Sequence, residues 1–278
     1  MPQTALTSAE LSLPVVADVR KLRTRIAALG TDVDVVGLTD NHAGRARLSP
    51  LAGLAVAREE GVPTIVHVSC RDRNRLALQS QVMGAAALGA AGLLCLYGDP
   101  VPDTPRVGDM TTTSLLAAAG GWAAPAHPLL GCVVNPFVDD MDRELRLLAK
   151  KVQAGARMIQ TQMVFDTLRL QEFLQRAAPL LTDVRVFASV GILRGQRMAD
   201  YVNASLPGLR LPDVAYGQVL AGGGVELAEE LSCILATLPG IDALHVVPLG
   251  AEAEVGRVAR AFRNARERSV DRSRVEML

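Results

Sequence analysis

The 278-residue chain has few aromatic residues and no excess of either charge. Aromatic side chains make up only 3% of it, so few are present to stack on a planar ligand. Lys and Arg number 29, as do Asp and Glu, and this balance gives no overall field that would attract nucleic acid. No apolar run free of Gly, Pro and charge reaches the about 18 residues of a transmembrane helix. We therefore expect neither a nucleic-acid partner nor a membrane partner.

Cysteines are also scarce, and the four present form no CxxC pair. Cys70, Cys95 and Cys132 lie in or beside apolar segments that are typical of strands. Buried thiols in a reducing compartment explain this pattern better than a metal site. Because the N-terminal residues lack the pattern of a signal peptide, we expect a cytoplasmic protein without a bound metal.

Three common catalytic signatures are missing as well. No His-x-x-x-His spacing supplies a pair of zinc ligands, and no Gly-x-Ser-x-Gly supplies a serine nucleophile. No Gly-x-Gly-x-x-Gly follows a predicted strand, so the sequence does not support a Rossmann nucleotide site. Without such signatures, the fold has to be inferred mainly from the hydrophobic content of 49% and from the order of the segments along the chain.

Strand-like and helix-like segments alternate along the whole chain. Eight short apolar segments are predicted to be strands: Ala9–Leu13, Val33–Leu38, Thr64–Val68, Gly92–Leu96, Leu130–Val134, Met158–Met163, Val184–Val190 and Ala243–Val247. Segments with helical spacing, such as Val15–Leu29, lie between them. Eight units in about 250 residues predict a single (β/α)8 barrel domain over 1–278, with a doubly wound open sheet as the alternative. We expect Leu206–Gly224 to be an extra segment after the seventh strand, and the charged tail 266–278 to fray.

Polar side chains occur at or near the ends of most of these strands. In a (β/α)8 barrel all carboxyl ends meet at one face, where active sites lie. The residues concerned are Glu10, Thr39, His67, Asp99, Asn135, Thr161 and Gln162. Each also has a structural explanation, since Asp99 could cap a turn and Glu10 could pair with an arginine. Together they predict an acidic, hydrogen-bonding pocket for a flat polar heterocycle, with Glu10 as a general acid.

Four blocks in these segments resemble the methylenetetrahydrofolate reductase family. The blocks are Glu10–Pro14, His67–Asn74, Leu96–Pro100, and Lys151–Ala156 followed by Thr161-Gln162 and Phe165-Asp166. The resemblance implies a barrel that binds FAD non-covalently and takes electrons from NADH or NADPH. It implies reduction of 5,10-methylenetetrahydrofolate to 5-methyltetrahydrofolate, or the reverse oxidation, in one-carbon metabolism and methionine biosynthesis. The family precedent is a homo-oligomer.

The resemblance also implies roles for individual residues. Glu10 protonates the bridging amine of the folate, Asp99 stabilises the resulting iminium cation, and Gln162 hydrogen-bonds folate or nicotinamide. These three are the implied catalytic and substrate-binding residues. The implied FAD-binding residues are Thr39, His67, Leu96, Tyr97, Gly98, Asp99, Asn135 and Lys151.

The family pattern is not matched everywhere. Tyr97 stands where many members have Arg or Thr, the fifth strand continues as Asn135-Pro136-Phe137, and Leu147 replaces a polar flavin contact. Two alternatives therefore stay open at this point. One is a flavin-independent pterin reductase on the same barrel, and the other is a non-catalytic barrel that binds folate or a partner.

Overall fold

A computed structural model describes residues 5–101, 104–206 and 208–276. Eight parallel strands close into a barrel in chain order, and the last strand pairs with the first. The strands are β1 Leu6–Leu11, β2 Val35–Leu38, β3 Thr64–Ser69, β4 Gly92–Leu96, β5 Leu129–Val134, β6 Met158–Met163, β7 Arg185–Gly191 and β8 Ala243–Val247. The predicted (β/α)8 barrel is confirmed, and closure between β1 and β8 excludes the open sheet.

Ten α-helices accompany these strands in the described part of the chain. They are α1 Val19–Ala28, α2 Pro50–Glu59, α3 Arg75–Ala87, α4 Thr112–Trp122, α5 Met141–Gln153, α6 Thr167–Ala177, α7 Gln196–Ser205, α8 Asp213–Leu220, α9 Gly224–Thr237 and α10 Val255–Glu276. A side chain accepts a first-turn backbone hydrogen bond at the start of each of α1 to α6. These caps fix the loops that follow β1 to β6, and those loops surround the carboxyl end of the barrel.

The region after β7 differs from the regular alternation. Three helices, α7, α8 and α9, separate β7 from β8, and α8 lies within the predicted extra segment Leu206–Gly224. The charged C-terminal region is part of α10, which continues to Glu276. Residues 277 and 278 lie outside the described part of the chain.

The first strand begins earlier than the sequence pattern indicates. The expected strand Ala9–Leu13 is β1 Leu6–Leu11, because polar residues inside the strand find partners. Thr7 bonds Asp34, and the Ser8 hydroxyl lies 2.8 Å from Nδ1 of His245. The expected helix Val15–Leu29 begins only at Val19, since Asp18 caps it by accepting a bond from the Lys21 N–H.

The interior of the barrel has two layers. Every strand contributes an apolar side chain to a cluster in the amino-terminal half: Leu6, Val35, Ile65, Leu94, Leu129, Met158, Phe187 and Ala243. Side chains two residues further along a strand point to the same side. In the next layer these include the polar or glycine positions Ser8, Gly37, His67, Gln160 and His245, and the apolar Leu96 of β4. Glu10 follows Ser8 on the same side of β1 and pairs in register with Gly37. The apolar cluster closes one end, so a ligand reaches the polar layer from the carboxyl end.

Candidate active site

Glu10 is the carboxyl group of this polar layer. It is the second-last residue of β1 and lies opposite Gly37 in the register with β2. Among the described residues, none donates a hydrogen bond to its carboxyl group or forms an ion pair with it. Burial, and secondarily the negative charge of Asp99, raise the pKa of Glu10 from 4.5 to about 7. A carboxyl group with this pKa can donate a proton near neutral pH.

Asp99 is the second carboxylate at this mouth, and it is exposed. Its Oδ2 accepts a hydrogen bond of 2.7 Å from the backbone N–H of Ala43, in the loop after β2. That loop has left-handed backbone at Asn41 and Ala43, with φ of 48° and 56°. Such conformations are strained for residues other than glycine and cluster at functional sites. Asp99 therefore joins the loops after β2 and β4.

His42 belongs to the loop after β2 and contacts the loop after β1. Its Nδ1 is 3.3 Å from the Thr39 hydroxyl, and its Nε2 is 3.4 Å from Oγ of Ser12 and 3.3 Å from Nη2 of Arg47. Burial first, and then the charge of Arg47, lower the pKa of His42 to about 4, so the ring is neutral at pH 7. The predicted site residue Thr39 is thus buried beside an imidazole that the sequence did not single out.

A buried ion pair joins the ends of β2 and β3. Arg73 donates to both carboxylate oxygens of Asp40, at 2.6 and 2.9 Å, and the backbone N–H of Ser69 donates to Oδ2 at 2.9 Å. The Asp40 side chain is fully buried. The pair joins the loop after β2 to the loop after β3, the strand that carries His67. Asp40 belonged to no predicted site, although it directly follows the site residue Thr39.

His67 and His245 lie inside the barrel, on β3 and β8, and both are buried. Burial lowers the pKa of His67 to about 4 and that of His245 to about 3, so both rings are neutral. The sequence pointed to His67 and missed His245. The same signal marks both, because each is a single histidine within an apolar strand.

The predicted site residues Asn135, after β5, and Lys151, on α5, are joined through Glu144 and the backbone of β5. Nζ of Lys151 donates to the backbone carbonyl of Val133 at 2.7 Å and lies 3.9 Å from Glu144. Glu144 accepts from the backbone N–H of Asn135 at 3.0 Å, and Oδ1 of Asn135 accepts from the N–H of Phe137 at 3.1 Å. The ammonium of Lys151 and the amide oxygen of Asn135 are therefore both engaged within the protein.

The two predicted residues of β6 differ in their surroundings. Thr161 is buried and bonds Ser189 of β7, whose N–H donates to Oγ1 at 3.0 Å, so Thr161 ties two strands together. Gln162 is partly exposed, and its Oε1 accepts from the N–H of Met163 at 2.9 Å. The register is irregular between Gln160 and Met163, and such irregularities re-aim side chains. The amide NH2 of Gln162 has no hydrogen-bonding partner among the described residues.

The end of β4 supplies the other predicted residues. Leu96 packs on the apolar cluster of the interior. Gly98 has a φ of 102°, and a Cβ there would lie 3.2 Å from Cβ of Ser69, so a larger residue would strain this turn. Tyr97 is exposed, and its hydroxyl accepts a bond of 3.3 Å from Nη1 of Arg106.

Two further features of the described residues bear on the type of site. They contain no group of three or more His, Cys, Asp or Glu side chains placed to hold a metal ion. In the same part of the chain, none of the helices combines the length and the hydropathy that crossing a membrane requires.

A family model described as methylenetetrahydrofolate reductase matches residues 3–120 and 122–256. The chain belongs to the methylenetetrahydrofolate reductase family. Membership supports a folate-related oxidoreductase in general terms, and it agrees with the four sequence blocks that resemble the family. A search among curated proteins finds no match.

Solved structures share the fold at low sequence identity. Tryptophan synthase from M. tuberculosis, in its aminoacrylate-bound form, superposes with a TM-score of 0.55 at 14% identity, covering 94% of this chain and 93% of the other. A protein titled "QR15, an Aldolase" gives a TM-score of 0.53 at 11% identity, with 94% and 96% covered. A protein from Aquifex aeolicus VF5 gives 0.52 at 12%, with 94% and 93% covered. At these identities the similarity concerns the barrel alone.

Proposed function

We propose that this member of the family reduces 5,10-methylenetetrahydrofolate to 5-methyltetrahydrofolate with NADH or NADPH, or catalyses the reverse oxidation. The observation that carries the proposal is Glu10, a carboxyl group in the polar layer with no protein partner among the described residues. Its pKa of about 7 suits it to donate a proton at neutral pH.

The reaction needs an acid because the closed five-membered ring of the substrate is a poor hydride acceptor. Glu10 donates its proton to the bridging amine, the carbon–nitrogen bond to that amine breaks, and a 5-iminium cation forms. A hydride from the nicotinamide then adds to the iminium carbon and gives the methyl group. The negative charge of Asp99 stabilises the cation, and the free NH2 of Gln162 is available to hydrogen-bond the pterin or the nicotinamide.

FAD is the cofactor that the family resemblance implies, and it would relay the hydride when bound. Three of the side chains expected to hold it are already engaged within the protein and fit this role poorly. The Lys151 ammonium is bonded to a backbone carbonyl, the Asn135 amide oxygen closes a turn, and the Tyr97 hydroxyl contacts Arg106. No proton-transfer step above is therefore assigned to the flavin.

The engagement of Lys151, Asn135 and Tyr97 within the protein favours a second candidate function. In this function the hydride passes directly from nicotinamide to the iminium carbon without a flavin. The two candidates differ in one optical property. A flavin enzyme is yellow as purified, and its visible absorption is bleached by NADH or NADPH and restored by methylenetetrahydrofolate. A flavin-independent enzyme is colourless and turns over without added FAD.

The proposed reaction is tested by chromatographic detection of 5-methyltetrahydrofolate in assays with either nicotinamide, with and without FAD. We expect product from the wild-type protein and loss of it in Glu10→Gln. Folate binding without product under all four conditions would support the non-catalytic barrel and overturn the proposal. The cytoplasmic location and the homo-oligomer stay predictions, which cell fractionation and light scattering would check.

A further inference from the structure

The two histidines inside the barrel have buried nitrogen atoms that nothing in the proposed reaction uses. Nε2 of His67 and Nε2 of His245 are both buried, and neither has a hydrogen-bonding partner in the described protein. Their residues are 4% and 1% exposed. A buried polar atom left without a partner costs about 1–3 kcal/mol, so two of them in one place call for an explanation.

The hydrogen bonds of Ser8 define the tautomer of His245. The Ser8 hydroxyl lies 3.2 Å from the carbonyl oxygen of Leu244 and 2.8 Å from Nδ1 of His245. A carbonyl only accepts, and a hydroxyl has one proton to donate. Ser8 therefore donates to Leu244 and accepts from Nδ1–H of His245. It follows that Nε2 of the neutral His245 ring carries a lone pair and needs a donor.

Both rings reach the level of Glu10. A Cβ on Gly37 would lie 3.2 Å from Nε2 of His67 and 3.6 Å from Cε1 of His245, so the two rings converge over this glycine. Gly37 is the residue that pairs with Glu10 in the register between β1 and β2. Ser8, the partner of His245, faces the same side of β1 as Glu10, two residues earlier.

We propose that His67 and His245 hold one buried water molecule beside Glu10, and that His245 is a positioning residue which directs this water toward the Glu10 carboxylate. The water donates one hydrogen to Nε2 of His245 and the other to Glu10, which leaves it to accept from His67 in the tautomer whose Nε2 carries the hydrogen. Buried waters make about three such bonds to polar groups that lack protein partners. The inference rests on the proposed role of Glu10 as the acid.

The consequence concerns the state of Glu10 after it has given up its proton. The ionised carboxylate is then desolvated near the like charge of Asp99, and the water supplies it with a hydrogen bond. The other titratable or charged groups around this region are His42, His67, His245, the Asp40–Arg73 pair, and Arg25 and Arg47 near His42. The three rings are neutral at pH 7, and each of the three arginines is bonded to a carboxylate or a backbone carbonyl. The water is therefore the donor that His245 controls.

Two substitutions at one position separate this role from a purely structural one. In His245→Asn the amide matches Nδ1, so the contact with Ser8 is kept and the contact with the water is lost. In His245→Gln the amide matches Nε2, so the water contact is kept and the Ser8 contact is lost. His127→Asn, at an exposed histidine, controls for loss of an imidazole elsewhere.

The measurement is the ionisation of the Glu10 carboxyl, followed by isotope-edited infrared spectroscopy and by the pH profile of kcat/KM for folate reduction. We expect His245→Asn to move the alkaline limb and the infrared titration upward by about one pH unit. We expect His245→Gln and His127→Asn to titrate like the wild type. A high-resolution crystal structure of the wild type is expected to contain the water between the two Nε2 atoms.

The idea is overturned if His245→Asn titrates like the wild type, or if the larger shift occurs in His245→Gln. It is also overturned if the wild-type crystal structure has no water in contact with both rings. Should His245→Asn not fold, Gly37→Ala gives the same readout, because the added methyl group displaces His67. The infrared titration and the crystal structure do not depend on turnover, so they distinguish failure here from failure of the proposed reaction.

Discussion

Replacement of Glu10 by glutamine is expected to remove activity and, above neutral pH, to stabilise the fold. Glu10 is held in an environment that disfavours its charge, because its carboxyl group is desolvated and faces Asp99 without a protein donor among the described residues, although the residue as a whole is partly exposed. The native state therefore keeps the proton to a higher pH than the unfolded chain does. Glutamine has nearly the same shape and no charge, so it escapes the cost of ionisation.

The size of the effect follows from the pKa of Glu10, which rises from 4.5 in the unfolded reference to about 7 in the native state. Between these values the native state binds more protons than the unfolded state, so the free energy of unfolding of the wild type falls as pH rises. Each pKa unit corresponds to about 1.4 kcal/mol. Glu10→Gln should therefore gain about 3 kcal/mol over the wild type by pH 8, relative to their difference at pH 4.5.

Urea denaturation of both proteins at several pH values between 4.5 and 8 measures this difference directly. Other groups titrate equally in the two proteins and cancel. Glu172→Gln, at an exposed glutamate of α6, serves as the control and should show a difference that hardly changes with pH. A constant difference between Glu10→Gln and the wild type over the whole range would refute the assigned environment of Glu10, whatever the activity.

Three more substitutions test other parts of the site. Asp99→Asn removes a like charge, so it should lower the pKa of Glu10 and move the alkaline limb of the pH profile downward. It should also slow folate reduction about a hundredfold, because the iminium cation loses its counter-charge. An unchanged pH profile would contradict the coupling between Asp99 and Glu10. Arg73→Met leaves Asp40 buried without its partner and should destabilise the fold by about 3–5 kcal/mol in urea denaturation, whereas a loss below 1 kcal/mol would show that the pair is solvated. Lys151→Met should leave the affinity for FAD, measured by fluorescence titration, unchanged; a large loss of affinity would return Lys151 to the flavin site.

The fold was predictable because most strands are apolar on both faces and the segments alternate regularly. The predicted start of β1 was three residues too late, because Thr7 and Ser8 break the apolar pattern. Their partners, Asp34 and His245, are distant in the sequence, so no local pattern marks these residues as part of a strand.

The direction of a side chain was predictable where a polar residue stands within an apolar strand, and not where a local bend decides that direction. Glu10 and His67 face the interior because strand alternation requires it. Thr161 bonds β7 instead of lining the mouth, since the strand is irregular between Gln160 and Met163. Lys151 lies on a helix, and only the packed structure reveals that its nearest acceptor is a carbonyl of β5.

The sequence also left open whether Glu10 pairs with an arginine, and the answer determines its chemistry. Arg25 is bound to the Ser12 carbonyl and to Glu252, Arg47 donates to the Leu13 carbonyl, and Arg73 is paired with Asp40. An arginine beside Glu10 would hold its carboxyl ionised at neutral pH and leave no proton to donate.

The loops after β1 and β2 thus direct these guanidinium groups to backbone carbonyls and to other carboxylates. For Glu10 to act as an acid, these arginines must be bonded to other acceptors, and this condition matters as much as desolvation of the carboxyl group. A substitution that frees one of them, such as Glu252→Gln beside Arg25, is therefore expected to lower the pKa of Glu10 without contacting it. An alkaline limb of the pH profile that stays in place in Glu252→Gln would show that Arg25 remains bound to Ser12 and cannot reach Glu10.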